Sequence, residues 1–144
     1  MDSGIKLLGY IASALFLFMS VMLLLTMRQS GPMRGARPWL WSTVLAAFGI
    51  ALNTSQEHLL PLFSFVLGNT LIVCGAAVSA LGTRDYRYHR PLPWRALIAL
   101  ALVIAVTIAA FVYVIPSNAI RALVVAVPTA LICLWHVGLL LAGS

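Results

Sequence analysis

Acidic residues are scarce in this chain, which has three aspartate or glutamate residues among 144. Charged residues of both signs make up 8%, against about 25% in ordinary soluble domains. So few carboxylates leave little for general acid–base chemistry between paired acids. The H-E-x-x-H, P-loop and G-x-S-x-G signatures are also missing from the sequence. We therefore expect no enzymatic activity and no cofactor.

Cysteine is equally rare, and both cysteines lie inside apolar runs, so no disulfide framework is indicated. What the chain has instead is hydrophobicity: 62% of its residues are hydrophobic and its mean hydropathy is +1.05. A soluble fold of this size keeps much of its surface wet and could not bury so much apolar side chain. The sequence therefore predicts an integral membrane protein whose first partner is the lipid bilayer.

Five apolar runs approach the roughly 20 residues that a membrane-spanning helix needs. The first is too long for a signal peptide and is interpreted as a retained helix. The second is the weakest prediction, since its apolar part stops before a polar Asn53–Gln56 stretch. Residues 1–144 are thus predicted to form one all-α domain, a bundle of five transmembrane helices at 5–27, 38–56, 59–82, 93–115 and 118–142. Short links predict antiparallel neighbours in sequence order.

Basic residues predict the orientation of this bundle. Seven of them flank the links after helices one and three, namely Arg28, Arg34, Arg37, Arg84, Arg87, Arg90 and Arg95. Only Lys6 and Arg121 fall on the opposite side. We therefore expect the N-terminus outside and the C-terminus in the cytoplasm. Because the arginines lie between apolar runs, the net charge of +6 indicates topology signals and not nucleic-acid binding.

Polar residues deep in the predicted helices are candidates for function, because such groups are costly in a membrane. None of the three acidic residues falls inside a predicted helix, which argues against a proton-coupled carrier. Asn69 falls near the middle of helix three, and Pro128 leaves the carbonyl of Val124 without its usual donor. Our hypothesis is a polar layer in which the Asn69 amide donates to that carbonyl or to Thr107 or Thr129. The alternatives are a bond within its own helix or to one packing partner, and a ligand contact.

A second polar group lies at the predicted outer face, where Glu57 and His58 form a short link next to Asn53 and Gln56. This is the place where a ligand outside the cytoplasm would be recognised, and the alternative is a solvated loop. Asn53, Glu57, His58 and Asn69 are therefore the predicted ligand-binding residues.

Cys74, Cys133 and His136 fall at similar depth near the cytoplasmic side, and the last two share a helix face. Haem or metal ligation is conceivable there, but their spacing matches no recognised ligand pattern. We expect no metal and interpret these residues as ordinary packing.

Two structural patterns complete the survey. Tryptophans 39, 41 and 94 fall at the inner helix ends and are predicted to lie in the membrane interface. Small residues repeat every four positions in Ala101-Ala105-Ala109 and Gly75-Ser79-Thr83. Such ridges indicate close packing within the bundle, with a homodimer contact as the alternative.

The stretch from Arg34 to Arg95 combines an arginine-rich link, two tryptophans opening a helix, and a second basic link that reads Arg90-Pro-Leu-Pro-Trp-Arg95. Between them come Gly49, Pro61, Asn69, Gly75 and Gly82. This pattern resembles the N-terminal membrane sensor region that precedes GGDEF domains in bacterial diguanylate cyclases. It covers under half of the chain.

The resemblance implies a multi-helix domain of the bacterial inner membrane that perceives a signal and controls a cytoplasmic output domain or cyclase partner making cyclic di-GMP. No GGDEF signature occurs in these residues, so we expect the chain itself not to make cyclic di-GMP. The predicted function is that of a non-catalytic sensory module. A small transporter and a structural subunit of a membrane complex are the alternatives.

Overall fold

Helices are the only regular structure in the part of the chain that the computed structural model describes. That part comprises residues 3–31, 33–114 and 118–142, with residues 118–121 described by their backbone alone. The prediction of an all-α fold is confirmed. The helices are α1 (Ser3–Ser30), α2 (Ala36–Thr54), α3 (Gly68–Tyr88), α4 (Trp94–Tyr113) and α5 (Asn118–Leu141), and a π-helical segment, Leu62–Leu67, runs directly into α3.

Four of these helical stretches are long and apolar enough to cross a membrane, as expected of a multi-pass membrane protein. They are α1, the π segment with α3, α4, and the Ala122–Leu141 part of α5. By contrast, α2 is less apolar than these four helices, because Arg37 lies in its first turn and Asn53 and Thr54 lie at its end. With 19 residues, it is still about 28 Å long at about 1.5 Å per residue.

The third helix begins and ends later than predicted. It starts at Leu62, after Pro61, and continues past Gly82 to Tyr88. The chain offers no glycine or proline to stop it there until Pro91, and the helix ends where His89 adopts a left-handed backbone with φ of 56°. Asp85, predicted to lie outside the helices, is therefore part of α3.

Consecutive helices are antiparallel, and α3 is central. It packs against α2, α4 and α5, whereas α1 packs against α2 alone of the described helices. Two hydrogen bonds join α1 to α2: the Ser13 hydroxyl donates to the carbonyl of Ala47 (2.9 Å), and the Ser20 hydroxyl donates to the hydroxyl of Thr43 (2.7 Å). Residue numbers rise along α1 as they fall along α2, which confirms opposite directions.

This alternation places both arginine-rich links at one end of the bundle, where Arg34 and Pro91 line the same cavity. We call it the arginine end. The link 55–61 lies at the other end, which we call the Glu57 end. The helix α5 runs towards the arginine end, since His136 contacts Thr83 there. The side chain of Arg121, assigned to the opposite side from sequence, is outside the described residues.

Helices α2 and α3 approach so closely that their backbones touch. The contact, which we call the glycine interface, is formed by Gly49 of α2 and Gly68, Gly75 and Gly82 of α3. A Cβ atom on Gly49 would lie 2.7 Å from the carbonyl oxygen of Gly68, and one on Gly75 would lie 3.0 Å from the carbonyl oxygen of Ser42. The three α3 glycines are seven residues apart, so they share one helix face. Only glycine permits this separation.

Away from this interface, branched and small apolar side chains fill the bundle. Val73 and Ile108 are completely buried where α3 meets α4, beside Val66 and Ile104. Ala105 and Ala109 pack on this cluster, so two residues of the small ridge predicted on helix four are bundle contacts. The outward sides of α1, α4 and α5 expose large apolar side chains, as a surrounding hydrocarbon phase requires.

We predict that Gly49→Ala destabilises the bundle by about 1–3 kcal/mol, the usual cost of overpacking, because the new methyl group would meet a backbone carbonyl that cannot move aside. Thermal unfolding in detergent measures this loss. Gly138→Ala is the matched control: it lies in a helix with no atom within 4 Å of the new Cβ, and it should be neutral or slightly stabilising. Equal unfolding temperatures for Gly49→Ala and the unchanged protein would contradict the glycine interface.

Candidate functional site

An open cleft separates α2 from α5. Both helices pack on α3, but among the described residues they do not contact each other. The gap between them forms a cavity of about 810 Å³ towards the Glu57 end. Its walls are mostly apolar with four polar side chains; they are Asn53, Gln56, Phe65, Asn69, Ile72, Ala122, Val125, Ala126, Thr129, Ala130 and Cys133. A largely apolar cavity with a few convergent polar groups is the usual form of a small-molecule site. We call it the amide cleft.

Two of the predicted ligand-binding residues meet in this cleft. Asn53, in the last turn of α2, donates from Nδ2 to Oδ1 of Asn69, at a distance of 3.0 Å. Asn69, in the first turn of α3, donates from its own Nδ2 to the carbonyl of Phe65 (2.7 Å). The Asn53 side chain packs over Gly68, where the two helix backbones are closest. The glycine interface therefore brings the two amides within hydrogen-bond distance.

The asparagine pair keeps hydrogen-bonding capacity for a ligand. Asn53 is only partly buried, and its Oδ1 accepts no hydrogen bond in the described part of the chain. The π-helical segment ends at Leu67, two residues before Asn69, and such segments are frequent at functional sites. A ligand with a hydroxyl or amide donor on an apolar body would fit both the free acceptor and the walls of the cleft.

The predicted polar layer around Asn69 is wrong in its partners. Asn69 donates within its own helix and accepts from α2, and does not donate to Val124, Thr107 or Thr129. The two threonines instead donate to carbonyls four residues earlier in their own helices, a bond that any helical threonine can make. Thr129 does share the amide cleft with Asn69. The asparagine turned to α2 because the glycine interface brings α2 closest.

The other two predicted ligand residues lie outside the cleft. Glu57 forms an ion pair with Lys6, which lies near the start of α1. His58 is exposed in the turn that follows α2, with its amide bonded to the carbonyl of Ser55 (3.0 Å). Neither side chain lines the amide cleft, whereas the neighbouring Gln56 does. The structure thus divides the predicted set into a cleft pair and a surface pair.

The cysteine–histidine set is not assembled into a metal site. Among the described residues, no three His, Cys, Asp or Glu side chains are placed to hold a metal ion. Cys133 is exposed and lines the amide cleft, and Cys74 is half-buried. His136 instead bonds through Nε2 to the hydroxyl of Thr83, at 2.7 Å.

Sequence analysis missed the role of Thr83, which joins three helices near the arginine end. Its buried hydroxyl bonds to His136 of α5 and accepts from Nε1 of Trp39 of α2 at 3.4 Å. We call these three residues the Thr83 junction. Trp39, predicted to lie in the membrane interface, is half-buried and also packs on Tyr86 in a tilted arrangement, with ring centroids 5.8 Å apart. Trp41 and Trp94 are exposed, as that prediction requires.

The junction is reinforced at the end of α5, where Nη1 of Arg87 donates to the carbonyl of Leu139. Carbonyls in the last turn of a helix lack intrahelical donors, and a cation is favourable at that negative pole. Consequently α2 and α5 are separate at the cleft and tied through α3 near the arginine end.

In comparisons with known proteins, the chain matches no family model, no curated protein and no solved structure.

We predict that Asn53 and Asn69 are energetically coupled. Replacing either with leucine leaves the other amide without its partner, and a double-mutant cycle in detergent should give a coupling of about 0.6 kcal/mol and at most about 1.7 kcal/mol, as for other hydrogen bonds in membrane bundles. Thr107→Val, which removes a hydroxyl bonded only within its own helix, is the control. Strictly additive effects of the two asparagine changes would contradict the observed pair.

The ion pair at the Glu57 end should make stability depend on pH. The hydrogen bond from Lys6 lowers the pKa of Glu57 below its ordinary value of 4.5. A lowered folded-state pKa contributes stability above the unfolded value, and this contribution is lost as the pH falls below 4.5 through the folded pKa. Thermal unfolding of the unchanged protein and of Glu57→Gln should therefore converge on acidification. Parallel pH profiles for the two proteins would show that the pair contributes nothing.

Proposed function

We propose that this protein is a non-enzymatic sensory module of a bacterial inner membrane, which perceives a small molecule in the amide cleft and controls a cytoplasmic partner. The observation that carries the proposal is the amide cleft, an open and mostly apolar cavity between α2 and α5 that contains the Asn53–Asn69 pair. Among the described residues, α2 and α5 both pack on α3 but not on each other. The resemblance to the sensor regions of diguanylate cyclases indicates the class of output. A GGDEF domain or a separate cyclase is the expected partner.

The proposed topology has five crossings, with the N-terminus outside and the C-terminus in the cytoplasm. Although α2 is less apolar than the other helices, it is sandwiched between α1 and α3 and is about as long as the roughly 30 Å hydrocarbon core. If those two helices cross the membrane, α2 crosses between them. The arginine end then faces the cytoplasm by the positive-inside rule, and the amide cleft faces the outer half of the bilayer.

The mechanism follows from where α2 and α5 are free and where they are joined. A ligand between Asn53 on α2 and Ala126 on α5 would change their separation at the cleft. The Thr83 junction, about 21 Å further along α3 at 1.5 Å per residue, holds the two helices together. A change in the cleft would therefore pivot α5 about the junction and displace its cytoplasmic end. The ligand acts by its different affinity for the two helix arrangements.

A fusion experiment tests both the orientation and the sensing. A GGDEF domain joined after α5 and expressed in bacteria should raise cyclic di-GMP, because its substrate GTP is cytoplasmic. Ala126→Trp places a large side chain in the cleft and should change that output by about fivefold or more, the lower range of allosteric coupling. Thr83→Val removes the junction hydroxyl and should abolish the effect of Ala126→Trp.

Ala110→Trp is the matched control, since Ala110 is exposed on α4 and lies outside the cleft. It should leave the output unchanged. Membrane-inserted fusions that make no cyclic di-GMP would overturn the proposed orientation. An active fusion in which Ala126→Trp and Ala110→Trp behave alike would overturn sensing through the cleft, and uptake of a cleft ligand into vesicles would favour a transporter instead.

A further inference from the structure

A second cavity, of about 470 Å³, lies at the arginine end and is separate from the amide cleft. Its walls are formed by residues 33–35, the first turns of α2 and α4, the link before α4, and two residues of α3. We call it the arginine cavity. It is lined by Met33, Arg34, Gly35, Arg37, Pro38, Trp41, Val78, Asp85, Pro91, Leu92 and Trp94.

The charges around this cavity suit one negative group. Arg34 and Arg37 line it together with the single carboxylate of Asp85, so its ionised side chains carry a net charge of plus one. Arg84 lies behind the wall, where its Nη2 donates to the carbonyl of Pro91 (3.2 Å) and its Nε is buried without a partner in the described structure. An arginine pair presents the donor geometry that phosphate oxygens accept.

Two helix N-termini add to this positive potential. The first residues of α2 and α4 border the cavity, and neither helix has a side-chain cap: Gly35 and Pro93 occupy the capping positions. The N-terminal end of a helix carries partial positive charge, which favours a nearby anion. The amides of Ala36 and Trp94 already donate to the carbonyls of Met33 and Leu92, so the contribution is mainly that of the helix dipoles. Gly35 has φ of 76°, a conformation that residues with a side chain rarely adopt. A Cβ atom on it would also lie 2.7 Å from the carbonyl oxygen of Gly82.

An apolar groove begins where the arginine cavity ends. It lies between α1 and α2, has a volume of about 510 Å³, and is lined by Leu17, Ser20, Val21, Leu24, Leu40, Trp41, Val44 and Phe48. The hydroxyl of Ser20 is already bonded to Phe16 and Thr43, so the groove offers no unsatisfied polar group. Trp41 lines both spaces and is 58% exposed. The arginine cavity and the apolar groove therefore meet at the indole ring of Trp41.

We propose that these two spaces bind one anionic glycerophospholipid of the phosphatidylglycerol type. Arg34 and Arg37 would hold its phosphodiester, and Asp85 would accept a hydrogen bond from a headgroup hydroxyl. One acyl chain would lie in the groove between α1 and α2, with Trp41 at the junction of headgroup and chain, where amphipathic indoles are favoured. The phosphodiester charge of minus one balances the lining charge of plus one. Basic cavities between membrane helices are known sites for acidic headgroups.

Native mass spectrometry of the full chain, delipidated in detergent and titrated with phosphatidylglycerol or phosphatidylcholine, tests the proposal. The first phosphatidylglycerol should bind about tenfold or more tightly than phosphatidylcholine, given the gain of roughly a factor of five per arginine near an acidic lipid. The double change Arg34→Gln and Arg37→Gln should remove that preference. Arg90→Gln with Arg95→Gln removes the same charge from exposed positions outside the cavity and should retain it.

Equal loss of preference in both double variants would overturn the site in favour of diffuse attraction to the arginine end. Phosphatidylethanolamine binding as tightly as phosphatidylglycerol would overturn the anionic assignment. The groove has a test that leaves every charge in place: Val21→Trp fills it and should weaken binding of long-chain phosphatidylglycerol but not of the dihexanoyl form. Unchanged long-chain binding would exclude the groove as the acyl site. Circular dichroism confirms that each variant is folded before it is compared.

Discussion

The contact between α2 and α3 is the constraint on which the other features depend. Within lipid, apolar surface gains little from leaving its surroundings, so helices associate through close packing and hydrogen bonds. Here the glycines allow a separation at which backbone meets backbone. That approach brings Asn53 to Asn69 at one end and Trp39 to Thr83 at the other. Because α2 is the only described helix that α1 packs against, the glycine interface also determines where α1 lies.

The same interface explains why the two cavities fall where they do. With α2 held tightly on one side of α3, α5 packs on α3 without reaching α2, and the amide cleft is the space that remains. At the arginine end, the start of α2 is held against Gly82 while the following link reaches towards α4. The lipid site and the Thr83 junction are consequently neighbours on the first turns of α2. An acidic lipid there would stabilise the first turns of α2, which contribute Trp39 to the Thr83 junction.

Much of the fold was predictable from local features. Long apolar runs and proline or glycine breaks indicated five helices. Asn69 was recognised because an amide is costly at membrane depth, and Asn53 because it belongs to a polar stretch beside Glu57 and His58. The error over Asn69 has a physical cause. Asn69 was assigned to the proline gap of α5 because depth along a helix was inferred without knowing which neighbour each side faced. The later end of α3 reflects helix propensity continuing through polar residues where no breaker intervenes.

The sequence by itself determined the class of the protein: an all-helical, strongly apolar chain with seven of its eight arginines in or beside two links. Only the tertiary structure decided which polar groups meet, that Glu57 pairs with Lys6 and not with a cleft, and that two cavities lie between particular helices. The physical reason is that hydropathy measures how deep a residue lies but not the direction it faces. A helix that is apolar on all sides carries little periodic signal for its rotation, so glycine contacts and single hydrogen bonds determine its neighbours.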